Sequence, residues 1–193
     1  MTETESKNFP DASEIKKWAK LRLWAGYLFI VAVLVFAQPS FIHAIAGVLL
    51  ILIGVIYRLI ASATLEKETR LCVEGIYSAT RNPLYFGSFL IGLGFASLGN
   101  RLWLALAFAL VLIPLYIKMI FLEETRLKNI FGDEFSEYLK SVPRFVPKFI
   151  PISNVFSAMK LERLKNSNET SSALIILLIT LVLLVFHTTW LIE

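Results

Sequence analysis

Two short stretches carry most of the residue types able to do chemistry: Gly75-Ile76-Tyr77-Ser78-Ala79-Thr80-Arg81-Asn82-Pro83-Leu84-Tyr85 and Glu123-Glu124-Thr125-Arg126-Leu127. In the first, Asn82 suits a helix N-cap and Pro83 the first helical turn, where its missing N–H costs nothing. The free N–H groups of such a helix start, its dipole and Arg81 together make a place for an anion. Glu123 and Glu124 make a place for a cation. A small zwitterion with an additional positive charge complements that pairing. S-adenosylmethionine, with a carboxylate, an ammonium and a sulfonium, is one such molecule, and many other ligands share the complementarity. A plainer reading competes with it. Glu124 and Lys128 stand four residues apart and Glu123 and Arg126 three apart, the spacing of ordinary ion pairs on a helix surface.

Other chemistry is sparse. Adjacent carboxylates at 123 and 124 project about 100° apart on a helix, so with no His or third carboxylate nearby a metal site is not expected. His43 and His187 fall near the ends of apolar segments, where an interfacial histidine is the ordinary explanation. The one cysteine, Cys72, excludes an internal disulfide and a thiolate cluster and reads as an unmodified thiol, with juxtamembrane lipidation the lesser alternative. Pro114 should kink its helix and free the carbonyl of Leu110. Gly87, Gly92 and Gly94 let one helix approach a neighbour or a ligand closely.

The elements that position these residues are membrane helices. Of 193 residues 56% are hydrophobic, and the mean hydropathy is +0.68, too apolar for an ordinary soluble core. A net charge of +4 does not point to nucleic acid, because Lys and Arg flank the apolar segments instead of forming a stripe among aromatics. The polar start, Met1 to Asp11, lacks the pattern of a cleavable signal peptide. A span needs about 20 apolar residues; Leu21–Gln38, Phe41–Ile60, Arg101–Leu122 and Ala173–Ile192 qualify. Leu84–Leu98 is a shorter fifth, reaching only about 22 Å. Gln38-Pro39-Ser40 and Gly99-Asn100 must then close tight antiparallel hairpins, the second of which brings Arg81–Tyr85 beside Glu123–Leu127. With five spans nearly every Lys and Arg falls on one side, which the positive-inside rule makes cytoplasmic. The fold expected is an all-α polytopic membrane protein of about five transmembrane helices, N-terminus cytoplasmic and C-terminus opposite. Two amphipathic helices are expected on the cytoplasmic interface, around Phe131–Val142 and Ile152–Met159, and Asn166–Ser172 should be a flexible joint before the last span.

In order along the chain stand Gly75-x-Tyr77, Arg81-Asn82-Pro83-Leu84-Tyr85-x-Gly87, a hydrophobic hairpin, Glu123-Glu124-x-x-Leu127, Phe131-Gly132-x-Glu134-Phe135-x-x-Tyr138 and Val142-Pro143-Arg144-Phe145-x-Pro147. Over about Tyr57 to Lys148 this resembles the isoprenylcysteine carboxyl methyltransferase and phospholipid methyltransferase group of integral membrane enzymes. The resemblance implies S-adenosylmethionine as cofactor, held by Arg81, Asn82, Tyr85, Glu123, Glu124, Tyr138, Arg144 and Pro147, with Tyr138 and Arg144–Pro147 closing as a cap and Glu124 and Arg81 in catalytic roles. It divides the chain into a cytoplasmic segment 1–20, a methyltransferase core 21–150 and an appendage 151–193 of interfacial helix, polar linker and extra span. Two positions differ: Asn82 stands where the eukaryotic carboxyl methyltransferases usually have His, and Phe135 where Tyr is common.

The function implied is methyl transfer to a lipid-like or isoprenylated acceptor arriving from the bilayer, carboxyl O-methylation before phospholipid or amine N-methylation. A carboxylate acceptor needs no general base, and Arg81 or Arg144 could hold it. An ammonium must first lose a proton, for which Glu124 is the convenient base. A NADPH-dependent membrane reductase and a non-catalytic scaffold are the remaining alternatives. Neither the acceptor nor the oligomeric state is written in the residues.

Overall fold

The computed structural model describes residues 11–66, 70–165 and 167–188; the polar start at 1–10, residues 67–69 with Lys67 among them, Asn166 and the end of the last expected span, 189–193, lie outside the described residues. Among the described residues eight α-helices follow one another: α1 Ala12–Phe36, α2 Phe41–Thr64, α3 Pro83–Gly99, α4 Leu102–Ala107, α5 Ile113–Ser141, α6 Ile152–Phe156, α7 Leu161–Lys165 and α8 Glu169–Thr188. A 3-10 turn, Gly75–Ser78, stands in the loop before α3. The protein is an all-helical integral membrane protein. Four helical stretches among the described residues are long and apolar enough to cross a bilayer: α1, α2, the continuous run from α4 through α5, and α8. The short apolar helix α3 is 17 residues long, about 25 Å at ~1.5 Å per residue.

What α3 lacks in length it recovers by packing flush against α2. A Cβ at Gly47 would stand 2.7 Å from the Gly94 carbonyl oxygen, and one at Gly54 would stand 2.6 Å from that of Gly87. The reverse substitutions fail equally, at 2.6 Å for Gly94 and 2.8 Å for Gly87. Two glycine pairs seven residues apart, running in opposite directions, fix α2 and α3 as antiparallel neighbours at backbone contact. Phe29, Val33, Ile51, Val55, Phe95, Leu98, Leu104 and Phe108 fill the core around this pair. The outer faces carry exposed Leu28, Val31, Leu49, Leu110 and Leu178, a band that hydrocarbon covers.

Both tight hairpins form, and they are tied to one another. Gln38 N–H donates to Gly99 O at 3.1 Å, and Asn100 Nδ2 donates to Gln38 O at 2.9 Å. Asn100 adopts φ 47, ψ 38, the left-handed helix-ending conformation that Asn accepts more readily than other side chains. The opposite end of the bundle therefore collects the start of α3 and the far part of α5.

Pro114 does interrupt the ladder, through a π-helical turn, Phe108–Leu112, just before it; the wider turn absorbs the missing donor. The stripe Phe131–Val142 does form a helical segment of its own, because α5 breaks at Gly132 (φ 53, ψ −120) and resumes after it. Its setting is corrected: Phe135, Tyr138 and Val142 are buried on Leu71 instead of lying on the interface. The polar joint before the last span is also shorter than its composition suggests, because Glu169–Ser172 already form the first turn of α8. The second amphipathic element is reduced to α6, whose Ile152 and Phe156 remain exposed, as do Val146 and Phe149 of the preceding segment.

Candidate active site

Residues Leu71–Asn82 precede α3 as a loop that cannot satisfy its own backbone, and the segment after α5 supplies the partners. Tyr138 Oη donates to Tyr77 O at 2.6 Å. Arg81 N–H donates to Pro143 O at 3.0 Å and Lys148 N–H to Ala79 O at 2.9 Å. Thr80, fully buried, donates its hydroxyl to Phe145 O at 3.0 Å. The strap Val142–Lys148 thus closes across the loop, and Arg144 is aimed back at α5.

Glu124 is the hub. It leaves α5 opposite the start of α3 and is 9% exposed. Its Oε1 accepts from Asn82 Nδ2 at 3.1 Å and lies 3.6 Å from an Arg81 terminal nitrogen. Its Oε2 accepts from Arg144 Nε at 2.9 Å. Asn82 Nδ2 also donates to Arg144 O at 2.9 Å. One buried carboxylate therefore holds two guanidiniums and an amide from two separate segments, a charge-assisted arrangement stronger than neutral hydrogen bonds. Asn82 occupies the N-cap position and Pro83 follows it at the helix start, but the Asn82 side chain makes no capping bond; it is spent on Glu124. The helix-surface reading of Glu124 with Lys128 is overturned by the same contacts. Arg81 and Glu124 do not stand as separate anion and cation sites; they neutralise one another.

Arg81 is 10% exposed, and its Nε is buried with no hydrogen-bond partner. An orphaned donor of a charged group is costly, so it marks a place where a ligand acceptor belongs. Beside it opens a cavity of about 270 Å³ walled by Arg81, Glu123, Tyr77, Cys72, Phe131 and Tyr138. Glu123, on this wall, accepts from Tyr85 Oη at 2.8 Å, and Arg22 covers the Tyr85 ring at 5.4 Å. Burial raises the Tyr77 phenol well above its ordinary value and pushes the Cys72 thiol up as well, so both line the cavity as neutral groups.

A second cavity, of about 280 Å³, lies on the other side of the hub between α3 and α5. Phe89, Ile113, Tyr116, Ile120, Phe121 and Phe145 wall it, and Arg144 is its charged residue. Arg144 is 44% exposed and stacks 4.3 Å from the Phe121 ring centre.

The structure gathers Arg81, Asn82, Glu124 and Arg144 into one cluster, with Tyr85 and Glu123 paired beside it and Tyr138 on the cavity wall. Pro147 it places elsewhere, in a separate cavity with Tyr57, Ile76, Lys148 and Val155. Sequence reasoning missed Thr80, Tyr77 and Cys72 as wall and hinge residues, together with the aromatic cavity. Tyr77 stood in the recognised motif and Thr80 directly before its next block, but their roles depend on backbone partners more than 60 residues away.

Comparison with known proteins agrees on one family. A sequence model described as phospholipid methyltransferase matches residues 21–134. The chain is 35% identical over 88 residues to a protein-S-isoprenylcysteine O-methyltransferase of Schizosaccharomyces pombe, covering 46% of this chain and 37% of that protein. It is 38% identical over 87 residues to protein-S-isoprenylcysteine O-methyltransferase B of Arabidopsis thaliana, covering 42% of each. The chain thus spans about two fifths of the length of these relatives. No solved structure matches it.

Proposed function

This chain belongs to the phospholipid methyltransferase family, and from that premise we propose that it is an S-adenosylmethionine-dependent methyltransferase acting on an anionic group at the end of a lipid-like acceptor. The observation that carries the reading is the Glu124-centred cluster between two cavities, one polar and one apolar, with Arg81 Nε unpartnered on the polar side. The residues fit the donor: Arg81 offers a buried N–H to a carboxylate, and Glu123 stands on the same wall for an ammonium. Bound there, S-adenosylmethionine supplies an electrophilic methyl group that needs no further activation.

The chain's own work is then alignment and charge. Glu124, with both oxygens occupied by Asn82 and Arg144, acts by holding the arginines; this favours a positioning role over that of a base. Arg144, which lines the apolar cavity, receives the acceptor's anionic end, while Phe89, Phe121 and Phe145 take its hydrocarbon. A carboxylate needs no proton removed before it accepts a methyl group, and a guanidinium beside it is favourable. An ammonium acceptor would meet Arg144 and be repelled. The geometry, and the names of the two relatives, therefore support carboxyl O-methylation of an isoprenylcysteine-like acceptor over N-methylation of a phospholipid. With Lys and Arg flanking the spans mainly at this end, the site and N-terminus lie on the cytoplasmic face.

The test is binding of S-adenosylhomocysteine to detergent-solubilised protein by calorimetry, followed by methyl transfer to a prenylated cysteine and, separately, to phosphatidylethanolamine. The reading expects saturable binding lost in Arg81→Ala, and a base-labile methyl ester on the first acceptor. Absence of binding in a folded sample refutes it, and base-stable methylation of the amine refutes the choice of acceptor.

A further inference from the structure

The family match ends at residue 134, yet α8 sends a carboxylate into the helices that carry the site. Arg58, in the last two turns of α2, donates through Nε to Glu169 Oε2 at 3.0 Å and through one terminal nitrogen to both Glu169 oxygens at 2.7 Å. The two side chains are only 23% and 21% exposed. The other terminal nitrogen of Arg58 donates to Ser88 Oγ on α3. Ser88 Oγ in turn donates to Leu84 O at 2.9 Å. Leu84 belongs to the first turn of α3, directly before Tyr85 and two residues after Asn82.

Four groups from three helices thus form one polar chain through apolar surroundings, and it ends where the site begins. Gly87 makes the crossing possible: a Cβ there would stand 2.7 Å from Arg58 Cγ, so any side chain would lift the guanidinium off α3. An unpaired guanidinium at this depth swings its head toward water. Glu169 removes that pull, and a bidentate pair fixes the plane of the guanidinium so that its remaining donors face Ser88.

We propose that the C-terminal span positions the site, the Glu169–Arg58 pair setting the first turn of α3 through Ser88 and thereby the directions of Asn82 and Tyr85. Its role in turnover rests on the methyltransferase reading above; the coupling between helices does not. None of these three residues touches the donor or the acceptor, so they are positioning residues.

Ser88→Ala separates the relay from the anchor, because it leaves the ion pair whole. We expect amide hydrogen exchange at Phe86–Ser88 to quicken about tenfold, the loss of one charge-assisted hydrogen bond, and turnover to fall by a similar factor, while thermal stability and acceptor KM stay near wild type. Glu169→Ala should quicken the same amides, with α8 loosened in addition. Unchanged exchange in Ser88→Ala overturns the proposal. So does quicker exchange with wild-type turnover, since the pair would then be only an anchor for α8. Wild-type protein that neither binds S-adenosylhomocysteine nor transfers methyl groups sinks the functional reading instead, and the exchange rates alone then decide whether the latch exists.

Discussion

Replacing Glu124 by Gln removes one charge and one acceptor from the hub while keeping its volume. The remaining amide oxygen can serve either Asn82 Nδ2 or Arg144 Nε, now 3.1 and 2.9 Å from the two carboxylate oxygens. Its NH2 must then face the other, donor against donor. Two guanidiniums are also left without their counter-ion. Removing one partner of a buried pair costs about 3–5 kcal/mol, but that figure needs discounting. Arg144 is 44% exposed and recovers water, whereas Arg81 at 10% exposure cannot. About 2 kcal/mol remains after screening, roughly a thirtyfold change in any equilibrium that requires the cluster intact. Glu123→Gln is the control. It weakens the 2.8 Å bond from Tyr85, worth about 1 kcal/mol, without stranding the buried Arg81. Calorimetric affinity for S-adenosylhomocysteine and thermal unfolding in the same detergent should therefore rank the variants, Glu124→Gln the more damaged in both. Equal losses, or a larger loss in Glu123→Gln, would refute the claim that Glu124 is the hub.

Gly132→Ala should destabilise the cap by about 1–3 kcal/mol, because φ 53, ψ −120 is closed to residues with a Cβ. Nothing crowds the added methyl group, so a loss of stability by thermal unfolding isolates the backbone term, and wild-type stability would show that α5 does not need this turn. Gly94→Leu should separate α2 from α3 and abolish a folded, monodisperse detergent preparation, since even a Cβ would stand 2.6 Å from Gly47 O; a normal elution profile would contradict the seam. Cys72 should react with iodoacetamide at pH 8 much more slowly than a free thiol, because burial raises its pKa. The corresponding stability is complete below about pH 8.5 and is lost as pH rises through the higher folded value, where unfolding by denaturant should become easier. Alkylation at the rate of the unfolded chain would show the cavity wall to be open.

The membrane helices were legible because hydrocarbon imposes length and composition on any crossing segment, and the charge balance of the flanks demanded that the short helix α3 be counted. Gly87 and Gly94 announced close approach by type alone. Their partners Gly47 and Gly54 were not singled out, because in an apolar run a small residue shows which face it opens only once its neighbour is known. The amphipathic stretch after Phe131 misled for a related reason. A periodic apolar stripe says that one face is covered, by lipid or by protein, and here Leu71 from a distant loop covers Phe135 and Tyr138.

At the site, residue types were readable and pairings were not. Arg81, Asn82, Glu124 and Arg144 all stood in the recognisable motifs, and the hairpin alone required the first three to meet. That Asn82 gives up capping to bind Glu124 comes from competition. Pro83 at the helix start has no N–H to cap, so little is lost there, whereas a buried carboxylate facing two arginines gains more from each donor. Arg144 could be placed only by the strap, whose backbone bonds to Ala79 and Arg81 and whose carbonyl bond from the Thr80 hydroxyl form a small long-range pairing without periodic side chains to betray it. The latch at Glu169 has the same physical origin. Composition reads Asn166–Ser172 as a joint because its residues are polar, but one carboxylate within it has a cation waiting in α2, and a single bidentate pair of that kind outweighs the weak helix propensity of the Ser and Thr around it.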